Sequence, residues 1–222
     1  MLTQVFVTGT DTDVGKTIVS RALLQALAAQ GAEAVGYKPI ATACTETAEG
    51  WRSKDVLTLQ ASSAVSLPYE ALNVLSLAED EPYAAPADST LFSRMSDGLA
   101  TLKARAGCVV VEGCGGWRTL LDEQHSYADW VIAQQLPVIL VVGIKQGGMN
   151  HALLTAQAVL NDGLPLLGWV ANRINPCLAH YAQTIDLLSR KLPAPLLGEI
   201  PYLPRAETRD LGQFLDLRPL AL

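Results

Sequence analysis

Metal-ligand spacing is missing from this chain. Its four cysteines, Cys44, Cys108, Cys114 and Cys177, form no CxxC pair, and its three histidines are scattered at His125, His151 and His180. That pattern argues against a zinc site or a disulfide framework and predicts a reduced, cytoplasmic protein. The histidines are read as structural or surface groups. A basic block is missing too. Lys+Arg 16 against Asp+Glu 22 gives a net charge of −6, a poor basis for a nucleic-acid partner. Long hydrophobic runs are absent. The longest, LPVILVVGI at 136–144, is less than half of the roughly 20 residues that cross a bilayer, so no membrane partner is expected. The N-terminal MLTQVFVTGT has no basic region leading into an apolar one, so no signal peptide is expected.

What remains is a chain of 222 residues that is 50% hydrophobic and 17% charged. That balance excludes disorder and predicts a single domain over 1–222. Short β-rich runs at 4–8, 34–40, 108–111, 138–142, 166–171 and 196–200 alternate with helical patterns. The helical patterns lie at 16–30, 54–61, 91–105, 127–134, 150–160 and 178–191. Residues 62–90, with acidic Glu79-Asp80-Glu81, read as loop plus short pieces. Strands such as VILVVG are apolar on both faces, which suits a mostly parallel sheet covered by helices on both sides. The fold class is therefore α/β, and GTDTDVGKT at 9–17 marks it as P-loop NTPase-type. Trp51, Trp117, Trp130 and Trp169 are read as packing residues.

The strongest signal is GTDTDVGKT at 9–17, between a predicted strand and a predicted helix. Successive backbone N–H groups of such a loop form an anion nest, and the following helix adds its positive end. Lys16 brings charge to the β- and γ-phosphates, and the Thr17 hydroxyl is placed to ligate Mg2+. The usual GxxxxGK[ST] spacing would put glycine at position 10; here that residue is Thr10 and the glycine is Gly9. The loop also lacks the second lysine near its start that marks partition ATPases of the ParA and MinD kind.

Four segments, GTDTDVGKT, GYKP (36–39), VEGCGG (111–116) and GWVAN (168–172), occur in the order and spacing of dethiobiotin synthetase. The chain resembles that family over nearly its whole length, through PAPLLGEIPYL at 193–203. The resemblance implies an ATP- and Mg2+-dependent ligase of biotin synthesis. It would carboxylate the diamine 7,8-diaminopelargonate with CO2 or bicarbonate and close the ureido ring through a carbamate and its phosphoric anhydride. Lys38 and Lys16 are then the catalytic residues, with Lys38 touching both carbamate and γ-phosphate. Thr12, Thr42 and Asn150 bind substrate, Asn150 across a homodimer interface. The nucleotide is held by Asp13, Val14, Gly15, Lys16, Thr17, Asp55, Glu112, Gly113, Cys114, Gly115, Asn172, Arg173, Pro201, Tyr202 and Leu203. The metal ligands are Thr17, Asp55 and Glu112.

Each assignment has a plainer counterpart. Lys38 ends a strand, where sites of doubly wound sheets lie, but surface lysines end strands too. Asp55 suits the helix start by charge alone. Glu112 follows a buried strand and precedes Gly-x-Gly-Gly, a position that looks built for a ligand. Asn172 suits an adenine edge or a turn. Asn150 reads equally as the N-cap of the 150–160 helix. Cys114 packs as a small hydrophobe where the family has alanine. Departures gather on the substrate side: Asp13 for glutamate, Thr42-Ala43 for Ser-Gly, Arg118 in place of an apolar residue, and Gly148. Two other readings therefore stand open: a partition- or regulatory-type ATPase switch, and a divergent paralogue acting on a related amine.

Overall fold

A computed structural model describes residues 2–78 and 90–220; the acidic 79–81 stretch lies outside them. The first half of the chain forms β1 (Gln4–Gly9), α1 (Lys16–Ala29), β2 (Ala34–Tyr37), β3 (Ile40–Ala41), β4 (Thr45–Thr47), β5 (Gly50–Arg52), α2 (Lys54–Ser62), α3 (Tyr69–Leu72) and β6 (Leu75–Ser76). The second half forms α4 (Leu91–Lys103), β7 (Cys108–Glu112), α5 (Tyr127–Ala133), β8 (Val138–Gly143), α6 (Gly148–Asn161), β9 (Leu166–Asn172), α7 (Tyr181–Lys191) and β10 (Leu196–Ile200). Short 3-10 turns follow at Ala206–Thr208, Gly212–Phe214 and Arg218–Leu220.

Six strands pair in the order β10-β9-β8-β1-β7-β2, and every pairing is parallel. Alternate residues of each strand go to opposite faces, so the sheet feeds two cores. Phe6, Val109, Val111, Leu140 and Trp169 pack on one face with Met95 and Leu99 of α4, Trp130 of α5, Val159 of α6 and Leu188 of α7. Val5, Val7, Val110, Ile139 and Val170 pack on the other with Val19, Leu23 and Leu27 of α1 and with Leu211 and Leu217 near the C-terminus. Burial on both faces explains why these strands read as continuous apolar runs.

Three element boundaries differ from the sequence expectation, each for a physical reason. The 34–40 strand breaks after Tyr37. Pro39 has no N–H for the ladder, and the Lys38 N–H donates instead to the Leu72 carbonyl of α3 at 2.9 Å. The chain thus leaves the sheet at the residue whose side chain enters the site. Helix α6 begins at Gly148 rather than Asn150, because Gly147 takes φ 80 and turns the chain into the helix at once. Asn150 is therefore in the first turn, exposed, and is not the N-cap. Helix α7 starts at Tyr181 after His180, whose φ of 59 is left-handed. Trp51 is exposed on the β4–β5 hairpin, whereas Trp117, Trp130 and Trp169 are buried as expected.

Three cysteines, Cys44, Cys108 and Cys114, are buried and Cys177 is exposed. Burial pushes the Cys108 thiol up to about 11, so it stays protonated and unreactive. A thiol alkylator followed by mass spectrometry should modify Cys177 alone in the native protein and all four cysteines in denaturant. Labelling of Cys108 at the native rate of Cys177 would contradict this packing.

Candidate active site

The carboxyl ends of the six parallel strands present the residues that matter, as expected for an open α/β sheet. β1 runs into the phosphate loop. The Thr10 N–H donates to the Val141 carbonyl of β8 at 3.0 Å, which pins the loop's start to the neighbouring strand. The loop's end is pinned from β9, where the Asn172 amide nitrogen donates to the Val14 carbonyl at 2.9 Å. Gly15 then caps α1 with φ 88. A β-carbon there would both demand a left-handed L-residue and strike the Asn172 amide. Lys16 opens α1, is buried, and donates from Nζ to the Asp11 carbonyl at 3.0 Å. Burial, reinforced by repulsion from Lys38, holds its ammonium below the usual lysine range.

Lys38 is the hub of the site. Its side chain is 3% exposed, and its Nζ lies 2.5 Å from Oε1 of the fully buried Glu112 and 2.6 Å from Oδ2 of Asp55. Burial alone would strip its charge, but Glu112 and Asp55 hold its ammonium well above the usual range. Asp55, in the first turn of α2 behind the Ser53 cap, shows the converse. Its partial burial is outweighed by the charge and the hydrogen bond of Lys38, so its carboxyl sits below the usual range. The Thr17 hydroxyl donates to Glu112 Oε1 at 2.7 Å. Strand ends β2 and β7, helix α2 and the phosphate-loop helix α1 are thereby joined through three side chains and one hydroxyl.

The predicted Mg2+ ligands Thr17, Asp55 and Glu112 are brought together. Glu112 Oε2 is buried without a hydrogen-bond partner, a cost in an apolar setting that a ligand would relieve. Two carboxylates and a hydroxyl are hard oxygen donors, the set that Mg2+ accepts alongside water and phosphate oxygens. Among the described residues no group of three or more His, Cys, Asp or Glu gathers in a metal-holding cluster.

The remaining predicted residues divide. Gly113, Cys114 and Gly115 follow Glu112 around the Gly-rich turn, and Cys114 is buried. Burial pushes its thiol up despite the nearby Lys38 and Lys16 charges. Thr12 and Asp13 are exposed on the phosphate loop, Asp13 with φ 57. Thr12, Gly115, Gly116, Thr119, Leu120, Asp122 and Glu123 line a mostly apolar cleft of about 440 Å³ beside the loop. Thr42 is partly buried between β3 and the hairpin, and Ala43 takes the left-handed φ of 53 that favours glycine. Arg173 donates its N–H to the Ile200 carbonyl at 2.9 Å, stacks its guanidinium 4.7 Å over Tyr181 and leads toward Pro201, Tyr202 and Leu203. Leu203 borders a second cleft of about 340 Å³ with Arg209 and Phe214. A larger cleft of about 650 Å³ between α1 and α2 touches none of the charged hub, so volume does not locate this site.

Sequence reasoning missed two contacts. Lys145 Nζ lies 2.8 Å from Asp11 Oδ2, tying the end of β8 to the phosphate loop. A signal existed: Lys145 follows the VILVVG strand by two residues, at the same carboxyl edge as Lys38. Asp162, at the end of α6, accepts from Trp117 Nε1 at 2.7 Å and from Arg118 Nη2 at 2.8 Å. No local pattern announces that pairing, which spans more than forty residues.

A six-stranded parallel sheet with the GTDTDVGKT loop at its strand tips defines a P-loop nucleotide-binding protein. Comparisons agree. A family model described as an AAA domain matches residues 3–209. The fold is similar to a solved ParA family ATPase from Chlorobium tepidum, with TM-score 0.56, 13% identity, and coverage of 98% of this chain and 99% of that one. It is likewise similar to the MinD cell division protein of Aquifex aeolicus, with TM-score 0.56, 13% identity, and 95% and 87% coverage. At that identity the likeness shows the fold alone. Sequence similarity is narrower. ATP-dependent dethiobiotin synthetase BioD 2 of Salmonella typhimurium and its namesake in Escherichia coli are each 59% identical over 99% of this chain and 95% of theirs. The ATP-dependent dethiobiotin synthetase BioD of Vibrio campbellii is 47% identical over 99% of both chains. The chain belongs to the ATP-dependent dethiobiotin synthetase family.

The lowered Lys16 ammonium means that folding disfavours its proton. This cost is present below the folded pKa and gone above the unfolded one. An anion beside Lys16 relieves it. Tripolyphosphate at a hundredfold its Kd, without metal or nucleoside, should raise the melting temperature by roughly 5–10 °C. The Lys16→Ala variant should lose that rise in the same calorimetric scan.

Proposed function

We propose that this protein makes dethiobiotin from 7,8-diaminopelargonate, CO2 or bicarbonate, and ATP. One amine of the diamine takes up CO2 as a carbamate. A carbamate oxygen attacks the γ-phosphorus of ATP and ADP leaves. The second amine then attacks the carbonyl carbon and phosphate leaves as the five-membered ureido ring closes. Two anions must approach within bonding distance, so the chief task is cancelling charge with groups already in place. The observation that carries this reading is the buried Lys38 ammonium, tied through Glu112 to the phosphate-loop helix and standing on the same edge as Lys16.

In this reading Lys38 meets the carbamate and the γ-phosphate, and Lys16 swings from the Asp11 carbonyl to the phosphates. Thr17, Asp55 and Glu112 would hold Mg2+, which would supply positive charge against the phosphates. Asp13, Val14, Gly15, Gly113, Cys114 and Gly115 surround the phosphates. Asn172, with its amide nitrogen committed to Val14, offers its oxygen to the base, and Arg173, Pro201, Tyr202 and Leu203 wall the base. Thr12 flanks the diamine in the cleft beside the loop, and Thr42 meets it from the turn after β3. Positioning of carbamate and phosphate in line supplies the rest of the acceleration.

We assign the whole of 1–222 to one such domain, acting as a homodimer in the cytoplasm, with neither nucleic acid nor membrane as partner. The α6 surface supports the dimer. Met149, Leu153 and Leu160 line one exposed apolar stripe of that helix, with Leu154 beside it, and Asn150 stands at its start. Among the described residues no helix is long and apolar enough to cross a membrane.

Purified protein incubated with Mg-ATP, bicarbonate and 7,8-diaminopelargonate should yield dethiobiotin by mass, with phosphate released in step. ATP turnover indifferent to the diamine would favour a nucleotide switch instead. The Lys38→Ala variant should bind ATP nearly as well as the parent by calorimetry yet lose diamine-dependent phosphate release. Equal loss of both would remove Lys38 from the carboxylation step.

A further inference from the structure

A carboxylate inside a phosphate loop is an electrostatic liability. Asp11 belongs to the loop, and its negative charge would repel a triphosphate and compete with it for Lys16. The structure shows how the chain manages this. The Asp11 side chain is turned to Lys145, 2.8 Å away, while its backbone carbonyl accepts the Lys16 ammonium at 3.0 Å. Its Oδ1 also accepts the Thr12 N–H at 2.8 Å, which fixes the carboxylate against its own turn. One residue therefore carries two separate tasks: its side chain faces β8 and its carbonyl faces the catalytic lysine.

Lys145 reaches it from the carboxyl end of β8, between Gly143 and the start of α6, and both partners of the pair are partly exposed. An ion pair of that exposure adds little to folding stability. The β8 end is held independently by the Ile144 N–H donating to the Asn172 carbonyl at 2.9 Å, so the Lys145 side chain is not needed to place the strand. What the pair does change is the charge beside the phosphate site.

We propose that Lys145 is a positioning residue for nucleotide binding: by pairing with the carboxylate of Asp11, the first of the two loop acids, it neutralises that charge and leaves Lys16 free to transfer from the Asp11 carbonyl to the incoming triphosphate. The inference rests on the reading that this loop binds Mg-ATP. It does not depend on which amine is the substrate.

The test is a double-mutant cycle in the full chain, read by calorimetric titration of Mg-ATP without diamine, with the melting temperature measured in parallel. Lys145→Met should weaken ATP binding about tenfold, more at low than at high salt, and shift the melting temperature by no more than about 2 °C. Lys145→Arg should bind within about twofold of the parent. Asp11→Asn combined with Lys145→Met should recover most of the loss, because the uncompensated charge is gone. A purely structural Lys145 gives no such recovery. The proposal is overturned if Lys145→Met binds ATP within threefold of the parent, or if the double variant binds no better than Lys145→Met. Parent protein that fails to bind Mg-ATP at all would instead overturn the reading of the loop. Parent protein that binds ATP but makes no dethiobiotin would sink the substrate assignment and leave the cycle interpretable.

Discussion

The architecture of the site depends on one buried charge. Lys38 sits at the edge of a sheet whose strands are apolar on both faces, a setting that penalises any ammonium. It stays charged only because Glu112 and Asp55 close on it from β7 and α2. The dependence is mutual, since Glu112 is fully buried and would otherwise carry an unpaired carboxylate. Removing one member of such a pair typically costs about 3–5 kcal/mol, because the survivor is left uncompensated. The same closure draws Thr17 to Glu112, so the start of the phosphate-loop helix is registered against the charged hub. Stability and chemistry here share the same atoms.

A second pattern is that the loop is held by its neighbours as well as by its own bonds at Asp11. β8 supplies the Val141 carbonyl and Lys145, and β9 supplies Asn172. An anion nest must keep its N–H groups free for the ligand. The tethers take the Thr10 N–H, on Val141, and the Thr12 N–H, on Asp11 Oδ1, while the Val14 carbonyl and the Asp11 carboxylate are held by side chains of β9 and of the β8 end. The α1 helix is anchored in the same indirect way at its outer side. Arg21 donates to the Ala206 carbonyl at 2.6 Å, and Gln25 receives the Leu211 N–H at 2.8 Å, so the C-terminal segment is strapped along it.

Much of this was legible in the sequence because the signals were local or periodic. GTDTDVGKT between a strand and a helix located the loop, and apolar runs such as VILVVG located the buried strands. The strand-end rule put Lys38, Glu112 and Asn172 on one edge before any geometry was known. Three things escaped. The strand after Ala34 ends at Tyr37 because a proline and a carbonyl from α3 draw the chain away, a tertiary effect that no β propensity reports. The start of α6 was set by the left-handed Gly147, and a pattern of apolar spacing is blind to backbone sign. The amide of Asn172 was read as a base contact, whereas part of it serves the Val14 carbonyl 158 residues away in sequence. The departure at Ala43 was visible as a letter, but only its positive φ shows that it retains a glycine-like backbone without glycine's freedom.

The wide sequence separation of the hub has a consequence for biogenesis. Lys38 and Glu112 are 74 residues apart, Thr17 and Glu112 are 95 apart, and Val14 meets Asn172 across 158. A polypeptide leaving the ribosome N-terminus first can pair Lys16 with Asp11 and Lys38 with Asp55 early, across 5 and 17 residues. Glu112 and Asn172 emerge much later, and non-local pairings of this kind form late and slowly. The loop's tether from β9 therefore closes only after the sheet has grown past β8, so its final shape is set long after its own residues have been translated.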